Sequence, residues 1–401
     1  MTASFAPRRR ALSAKTVTLA HGGGGSAMRD LIDDVFLAAF AEDQASAASG
    51  SDFGAASGSD FSAASGNDTH GASGNDFSAA SGNDTRAANG EPARSAPEDQ
   101  ARFDLAALAA KGDRLAFTTD SFVVDPLFFP GGDIGKLAVC GTVNDLAVGG
   151  AEPVALSCAV IIEEGLEVEL LRIVAASMAR TAREAGVAIA TGDTKVVARG
   201  ACDKLFITTT GIGVVRRGLD VGITKARPGD VVLVNGLLGD HGAAILNARG
   251  DLALETAIAS DCAPLNGLIA ALIAAAPGLR MMRDATRGGI AAVANELAEA
   301  SAVGVRLDEL ALPMRAEVQG FCEILGLDPL YLANEGKILA VVPAEEAEAA
   351  LAALRAHPLG REAAVIGTVT AERPGRVTMQ TRFGGERIVD MLVGDQLPRI
   401  C

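Results

Sequence analysis

Residues 117–153 read FTTDSFVVDPLFFPGGDIGKLAVCGTVNDLAVGGAEP. Three carboxylates are spread along this stretch, each beside glycine, threonine or asparagine: Asp120, Asp133 and Asp145. Leu115–Thr119 reads as a strand ending at Asp120. Pro130-Gly131-Gly132 is a turn signal, after which Asp133 opens a helical pattern over Ile134–Val148. Asp145, beside Asn144, lies near the end of that helix. A strand end, a helix start and a helix end can converge on one point. Converging carboxylates bind hard cations such as Mg²⁺, which brings phosphates with it. Taken singly, each Asp would be no more than a cap or turn residue.

A chain of 401 residues has the length of two or three domains and can bury a core of normal size. Aromatic residues make up only 4% of it, with no Trp and one Tyr, so Ala, Val, Leu and Ile must form that core. The formal charge of −15 argues against nucleic acid as a standing partner. No apolar run is long enough for a membrane span. Arg8-Arg9-Arg10 is not followed by an apolar segment, so it is not read as a signal peptide. The six cysteines (140, 158, 202, 262, 322 and 401) show no C-x-x-C pair and no zinc spacing. That pattern suits a reducing cytoplasm, with the first five as small core residues.

Outward from the opening stretch, residues 1–15 read as a disordered tail. Val17–Ala20 reads as a short strand running into His21-Gly22-Gly23-Gly24-Gly25-Ser26 and a helix over Ala27–Phe40. Four glycines before a helix leave backbone N–H groups free to face an anion. No Gly-Lys-Ser/Thr follows, so this is not a P-loop, and a hinge or lid is an equal reading. Residues 47–94 repeat with period eight (AASGSDFG, AASGSDFS, AASGNDTH, GASGNDFS, AASGNDTR, AANGEPAR). Such a segment cannot bury enough surface to offset its ordering entropy, and it lacks the nine-residue period of a calcium β-roll. His70 falls inside it and is not a catalytic candidate.

Downstream, strands are expected at Val154–Ile162, Val187–Ala190 and Phe206–Val215, with a helix over Leu166–Ala185. Thr191-Gly192-Asp193-Thr194-Lys195 places a fourth Asp at a strand end. A domain boundary is expected near 216–228, before a strand at Val231–Asn235. His241, in Gly239-Asp240-His241-Gly242, reads as a helix-start residue rather than a base. Met281–Asp284 leads into Ala285-Thr286-Arg287-Gly288-Gly289, so Asp284 is a fifth junction Asp, and Arg287 with its glycines suits a phosphate. Glu335 lies between Asn334 and Gly336, a poor place for a merely solvated carboxylate. The chain ends Pro398-Arg399-Ile400-Cys401. A prenylation box needs three more residues, so this is not one.

Together, HGGGG, the 117–153 stretch, TGDTKVV, PGDVVLVNG with LLGDHGAAIL, RDATRGG, NEGK and the terminal PRIC resemble the HypE family of hydrogenase maturation factors. That family belongs to the wider group of aminoimidazole ribonucleotide synthetase, selenophosphate synthetase and thiamine-monophosphate kinase. The resemblance covers about 17–42 and 98–401. It implies an α+β, two-domain aminoimidazole-ribonucleotide-synthetase-like fold whose N-terminal domains pair into a β-barrel in a homodimer. The domains would be 16–220, binding ATP and interrupted by the 43–97 insert, and an α/β domain over 221–385, followed by a flexible tail, 386–401.

The implied activity is ATP-dependent dehydration of an S-carboxamide on Cys401 to an S-cyanide. A HypF-type carbamoyltransferase would load the thiol, and a HypC–HypD complex would receive the cyanide for a [NiFe]-hydrogenase iron. Asp120, Asp133, Asp145, Asp193 and Asp284 would hold Mg²⁺. Lys136 and Arg287 would offset phosphate charge, with Thr119, Asn144 and Gly22–Gly25 also on the nucleotide. Glu335 is the candidate base, and Lys195 either orients it or binds the γ-phosphate. Two alternatives are another enzyme of the group, such as a small-molecule kinase, and a non-enzymatic thiol carrier. The terminal PRIC counts against the first and the five Asp motifs against the second.

Because the repeat has the composition of solvated chain, deleting Ala47–Arg94 should leave the melting temperature within a few degrees of wild type. A large drop in a thermal melt would show that the repeat is structured.

Overall fold

The computed structural model describes residues 12–40, 100–250, 257–392 and 399–401. The period-eight repeat, His70 and residues 1–11 of the expected disordered tail lie outside them. Leu12–Lys15 are placed: the Lys15 carbonyl accepts from Val168 N, and the Leu12 carbonyl from Arg172. The expected strand at Val17–Ala20 is instead a single bridge, Thr16 to Glu167, followed by a 3₁₀ turn, Leu19–Gly22. A short helix, α1 (Ser26–Leu31), follows and continues as a π-helical turn over Ile32–Leu37.

The first sheet is built from β1 (Arg114–Phe122), β4 (Ala151–Glu163), β5 (Ala188–Val197) and β6 (Leu205–Val215), in the order β1-β6-β4-β5. β6 runs antiparallel to β1 and β4, and β4 runs parallel to β5. α2 (Leu105–Lys111) precedes β1, and between β1 and β4 lie the small hairpin β2 (Phe128–Phe129) and β3 (Gly132–Asp133), and α3 (Ile134–Val148). α4 (Val168–Ala185) connects β4 to β5. Side chains alternate across a strand. On β4, Leu156, Cys158, Val160 and Ile162 are buried towards the helices, whereas Ile161 faces outward, as do Leu115 and Phe117 on β1.

The second sheet has seven strands in the order β13-β12-β9-β11-β7-β10-β8. They are β7 (Val231–Val234), β8 (Met281–Asp284), β9 (Gly304–Asp308), β10 (Ile338–Val342), β11 (Ala364–Thr370), β12 (Arg376–Gln380) and β13 (Glu386–Val389). All pairings are antiparallel except β9 with β12. The helices of this region are α5 (Asp240–Ala248), α6 (Asn266–Ala275), α7 (Gly289–Ala300), α8 (Ala316–Leu325) and α9 (Ala347–Ala356). One face packs on α7 through Ile290, Val293, Ala294 and Leu297, and the other on α6 and α9 through Leu268, Leu272, Ala350 and Leu354. The sequence reading anticipated neither β9 nor α8.

Helix α3 joins the two halves. Every one of its residues except Lys136 and Asp145 is buried, so it needs cover on all sides. Its Leu137, Val139 and Val143 lie in the first core, and Ala147 and Val148 pack among the α6 and α9 side chains of the second. Asn144 adds polar stitches. Its amide donates to the carbonyls of Ala263 (3.1 Å) and Glu335 (3.4 Å), and its side-chain oxygen accepts from Leu265 N at 2.7 Å. Asn144→Ala would strand three buried backbone groups, so urea unfolding should show a loss of about 2–4 kcal/mol. An unchanged midpoint would mean that these bonds do not hold the halves together.

Candidate active site

Asp120 lies inside β1 rather than at its end, since the strand runs on to Phe122. Alternation therefore fixes its direction: Thr118, Asp120 and Phe122 point at α3, and Thr119 and Ser121 point away. The approach is close, because a Cβ on Gly141 would meet the Phe122 ring at 2.8 Å and Asp120 Oδ2 at 3.7 Å. Thr118 Oγ1 donates to Asp145 Oδ2 at 3.1 Å. Asp284 closes β8. Burial pushes the Asp145 carboxyl up to about 6, and the nearby Asp284 and Asp120 charges add to it. Asp284 is raised chiefly by burial and, less, by Asp120. Carboxylates from a strand, a helix and a second strand thus lie within reach of one another's charge. Beside them, Arg287 is exposed at the start of α7, where Gly288 and Gly289 have φ of +74° and +58°. A Cβ on Gly289 would come within 2.5 Å of the Leu330 and Leu332 carbonyls, so only glycine fits there.

Next to this cluster, Glu335 is 3% exposed and its Oε1 has no hydrogen-bond partner. Its acidity is weakened first by burial, then by Cys262, Asp261, Asp284 and Asp120. The loop carrying it is held from behind by Asp261. Asp261 Oδ1 accepts from Glu335 N (3.0 Å), and Oδ2 accepts from Gly336 N (3.2 Å) and Lys337 Nζ (3.0 Å). Gly336 is required by this arrangement, since a Cβ on it would lie 2.0 Å from the Asp261 carbonyl oxygen.

The end of the chain is docked against the first core and the segment that follows β1. The Cys401 carbonyl accepts from Val123 N at 3.0 Å, and the Arg399 carbonyl accepts from Asp125 N (3.4 Å) and Arg249 Nη2 (2.9 Å). Arg399 donates to the Val123 carbonyl (3.0 Å) and to Asp203 (2.5 Å). Ile400 is buried in the first core, and the Cys401 side chain packs against the same cluster, half-buried. His241 holds the Ile400 carbonyl at 2.8 Å through Nε2 and meets Ser260 Oγ at 2.8 Å through Nδ1. A carbonyl only accepts, so Nε2 carries the proton, Ser260 donates to Nδ1, and burial keeps the ring neutral. The expected flexible tail, 386–401, is corrected at both ends: 386–389 form β13 of the second sheet and 399–401 are seated, while 393–398 lie outside the described residues.

Several expected site residues are not brought to this point. Asp133 caps α3: its Oδ1 accepts from Gly135 N and Lys136 N, and its Oδ2 from Ser177 Oγ. Its oxygens are taken by a helix start, not offered to a cation. Lys136 Nζ turns back to the Gly131 carbonyl at 2.9 Å. Asn144 is committed to the junction between the sheets. Thr119 bonds Thr210 on the outer face of the first sheet. Asp193 and Lys195 lie inside the continuous β5, not at a strand end; they pair at 2.7 Å on that outer face, while Thr194 between them points inward. Within one chain Lys195 is therefore not the orienter of Glu335, and Lys337 is the lysine behind it. Gly22 packs on Val196 of β5, with Gly23–Gly25 following, three strands from Asp120, about 14 Å at normal strand spacing. In this arrangement the glycines do not cover the carboxylates. Of the five cysteines expected in the core, Cys202 is only half-buried. His241 is the helix-start residue expected, but its grip on the tail went unseen, as did Asp261, Lys337, Asp203 and Arg249.

The family model described as AIR synthase related protein, N-terminal domain, matches residues 98–215, and its C-terminal counterpart matches 227–380. A carbamoyl dehydratase HypE of Rhodobacter capsulatus is 55% identical over 391 residues, covering 98% of this chain and 100% of that protein. The chain belongs to the carbamoyl dehydratase HypE family. Solved HypE structures agree. One in complex with ATP superposes with a TM-score of 0.78 at 43% identity, covering 96% of this chain and 100% of the other. One from a HypE–HypF complex gives 0.68 at 50% identity, covering 69% and 90%. The two-domain α+β architecture is that of the family. Among the described residues no helix is long and apolar enough to cross a membrane. Nor do any three His, Cys, Asp or Glu side chains there lie close enough to hold a metal ion by themselves.

Asp145 titrates above its ordinary 3.8, so its ionisation opposes folding. The stability tied to its neutral form is complete below about pH 4 and is lost as pH rises through about 6. Asp145→Asn should therefore melt above wild type at pH 7 and match it near pH 4, a gap on the order of 3 kcal/mol. A gap that does not change with pH would place its origin outside the carboxylate cluster.

Proposed function

We propose that this chain uses ATP to convert an S-carboxamide on Cys401 into an S-cyanide that supplies the cyanide ligands of a [NiFe]-hydrogenase iron. The observation that carries the proposal is the seating of the terminal tripeptide by His241, which also bonds the segment that holds a buried carboxyl with a free oxygen. An amide oxygen is a poor leaving group; once phosphorylated it leaves as phosphate. The balance is thiocarboxamide plus ATP to thiocyanate, ADP and phosphate, with both amide protons removed. Glu335 suits the base role. Its burial and the surrounding negative charge raise its proton affinity, and Oε1 is uncommitted. Asp120, Asp145 and Asp284 suit Mg²⁺, which takes one or two carboxylates and completes its shell with phosphate oxygens and water. Bound there with ATP, the ion would neutralise phosphate charge. Arg287 and the glycine-opened start of α7 suit the phosphates themselves.

HypE structures solved with ATP and with HypF support ATP as the substrate and a HypF-type carbamoyltransferase as the partner that loads Cys401. A HypC–HypD complex in the cytoplasm would take the cyanide. The outer face of the first sheet, with Leu115, Phe117 and Ile161 exposed, suits a second copy of the chain closing a barrel. Asp193 and Lys195 would then lie inside the dimer interface.

Intact-mass measurement of the C-terminal peptide, after incubation with the carbamoyltransferase, carbamoyl phosphate and ATP, tests the scheme. Cys401→Ala should accept no carbamoyl group. Glu335→Gln should be carbamoylated and then stall without losing water. Asp120→Asn should stay folded and lose ATP turnover. A cyanated Cys401→Ala protein would end the terminal-thiol mechanism, and wild-type ATP turnover in Asp120→Asn would remove the magnesium site.

A further inference from the structure

Ser260, Asp261 and Cys262 form a loop that touches the turn before α3, His241 and the Glu335 loop, yet none of the steps above employs it. Ser260 N donates to the Pro130 carbonyl at 2.7 Å, which pins the Pro130–Gly132 turn before α3. Its Oγ donates to His241 Nδ1 and accepts from Cys262 N at 3.1 Å. His241 in turn holds Ile400, one residue from the thiol. The Asp261 side chain is buried, with both oxygens occupied by the Glu335 loop and Lys337. Cys262 meets the buried thiol of Cys140 on α3. Adjacent residues of one segment thus fix the carbonyl before the reactive cysteine and the backbone of the base.

A purely structural pair at this depth would be a poor solution. A buried ion pair is often no more stabilising than apolar residues of the same volume. This one spends both carboxylate oxygens on the amides of Glu335 and Gly336, and those amides set where the Glu335 side chain starts. Reaction rate is steep in such placement: a shift of about 1 Å in a reacting group can cost on the order of 100-fold.

Building on the dehydratase reading, we propose that Asp261 is a positioning residue for the dehydration step. It holds Glu335 in register with the tail that its neighbour Ser260 seats through His241.

The test uses the full-length chain, carbamoylated on Cys401 by the partner enzyme, and follows loss of water from the tail after ATP is added. Asp261→Asn keeps the volume but leaves Lys337 unpaired. Asp261→Asn with Lys337→Met removes both charges and keeps the protein folded if the single variant does not. Both should be carbamoylated to the wild-type extent, with the KM for ATP within a few-fold and the dehydration rate down by roughly 10- to 100-fold. Asp230→Asn is the control for stability alone, since it breaks the buried Asp230–Arg280 pair (3.3 Å) in the same region, away from the site. It should lose stability and keep its rate. Wild-type dehydration in the Asp261 variants, or an equal rate loss in Asp230→Asn, would overturn the inference. So would a change confined to the KM for ATP. Glu335→Gln separates the two ideas. If it dehydrates normally, the base assignment fails. If it is inactive while the Asp261 variants are normal, only the positioning role fails.

Discussion

The burial of α3 on every side is the constraint from which the rest follows. A helix with one apolar stripe is satisfied by one sheet. This one has apolar or small residues around its whole circumference, and one sheet leaves half of it in water. The second half of the chain must close over it, and α6 and β8 do so. Closure brings the strand end bearing Asp284 and the loop bearing Glu335 against the one side where α3 carries Asp145. The charged site is the polar seam of a junction otherwise made of Ala, Val and Leu.

The same closure accounts for the electrostatics. Water is excluded from Asp145 and Asp284, so burial, and after it the charge of neighbouring carboxylates, weakens their acidity. Asp261 is buried as deeply and yet is pushed the other way, its acidity strengthened by Lys337 and two backbone amides. Two kinds of carboxylate thus lie side by side. One kind is ready for a cation or a proton, and the other is permanently ionised and already committed. Glu335 belongs to the first kind and is held by the second.

Much of this was legible in the sequence. The span of α3 was read to the residue, because its turn signal and apolar run are local. Asp120, Asp145, Asp284 and Glu335 stood out as acids among small residues, and they do come together. The misassignments have physical sources. Asp133 carries the same small-residue signature as Asp120, because a helix cap and a ligand both want a short carboxylate with nothing bulky beside it. Thr119 and Lys195 could have been placed by alternation: each lies one residue from a side chain that points at the helices, hence on the opposite face. Asp261 carried no signal at all. It lies in Ser-Asp-Cys-Ala-Pro, without periodicity, and its partners are 74 to 76 residues away along the chain.

The tight packing of Gly336 over Asp261 bears on how such a site changes over generations. Any side chain at 336 would drive a carbon into the Asp261 backbone, so the loop cannot accept a substitution until the 260–262 segment has moved. That segment cannot move without releasing His241 and the turn before α3. A lineage that altered one of these positions first would pass through a broken intermediate. The loop, the segment and the turn are therefore expected to be inherited as a block, with variation collecting in the strands and surface helices around them.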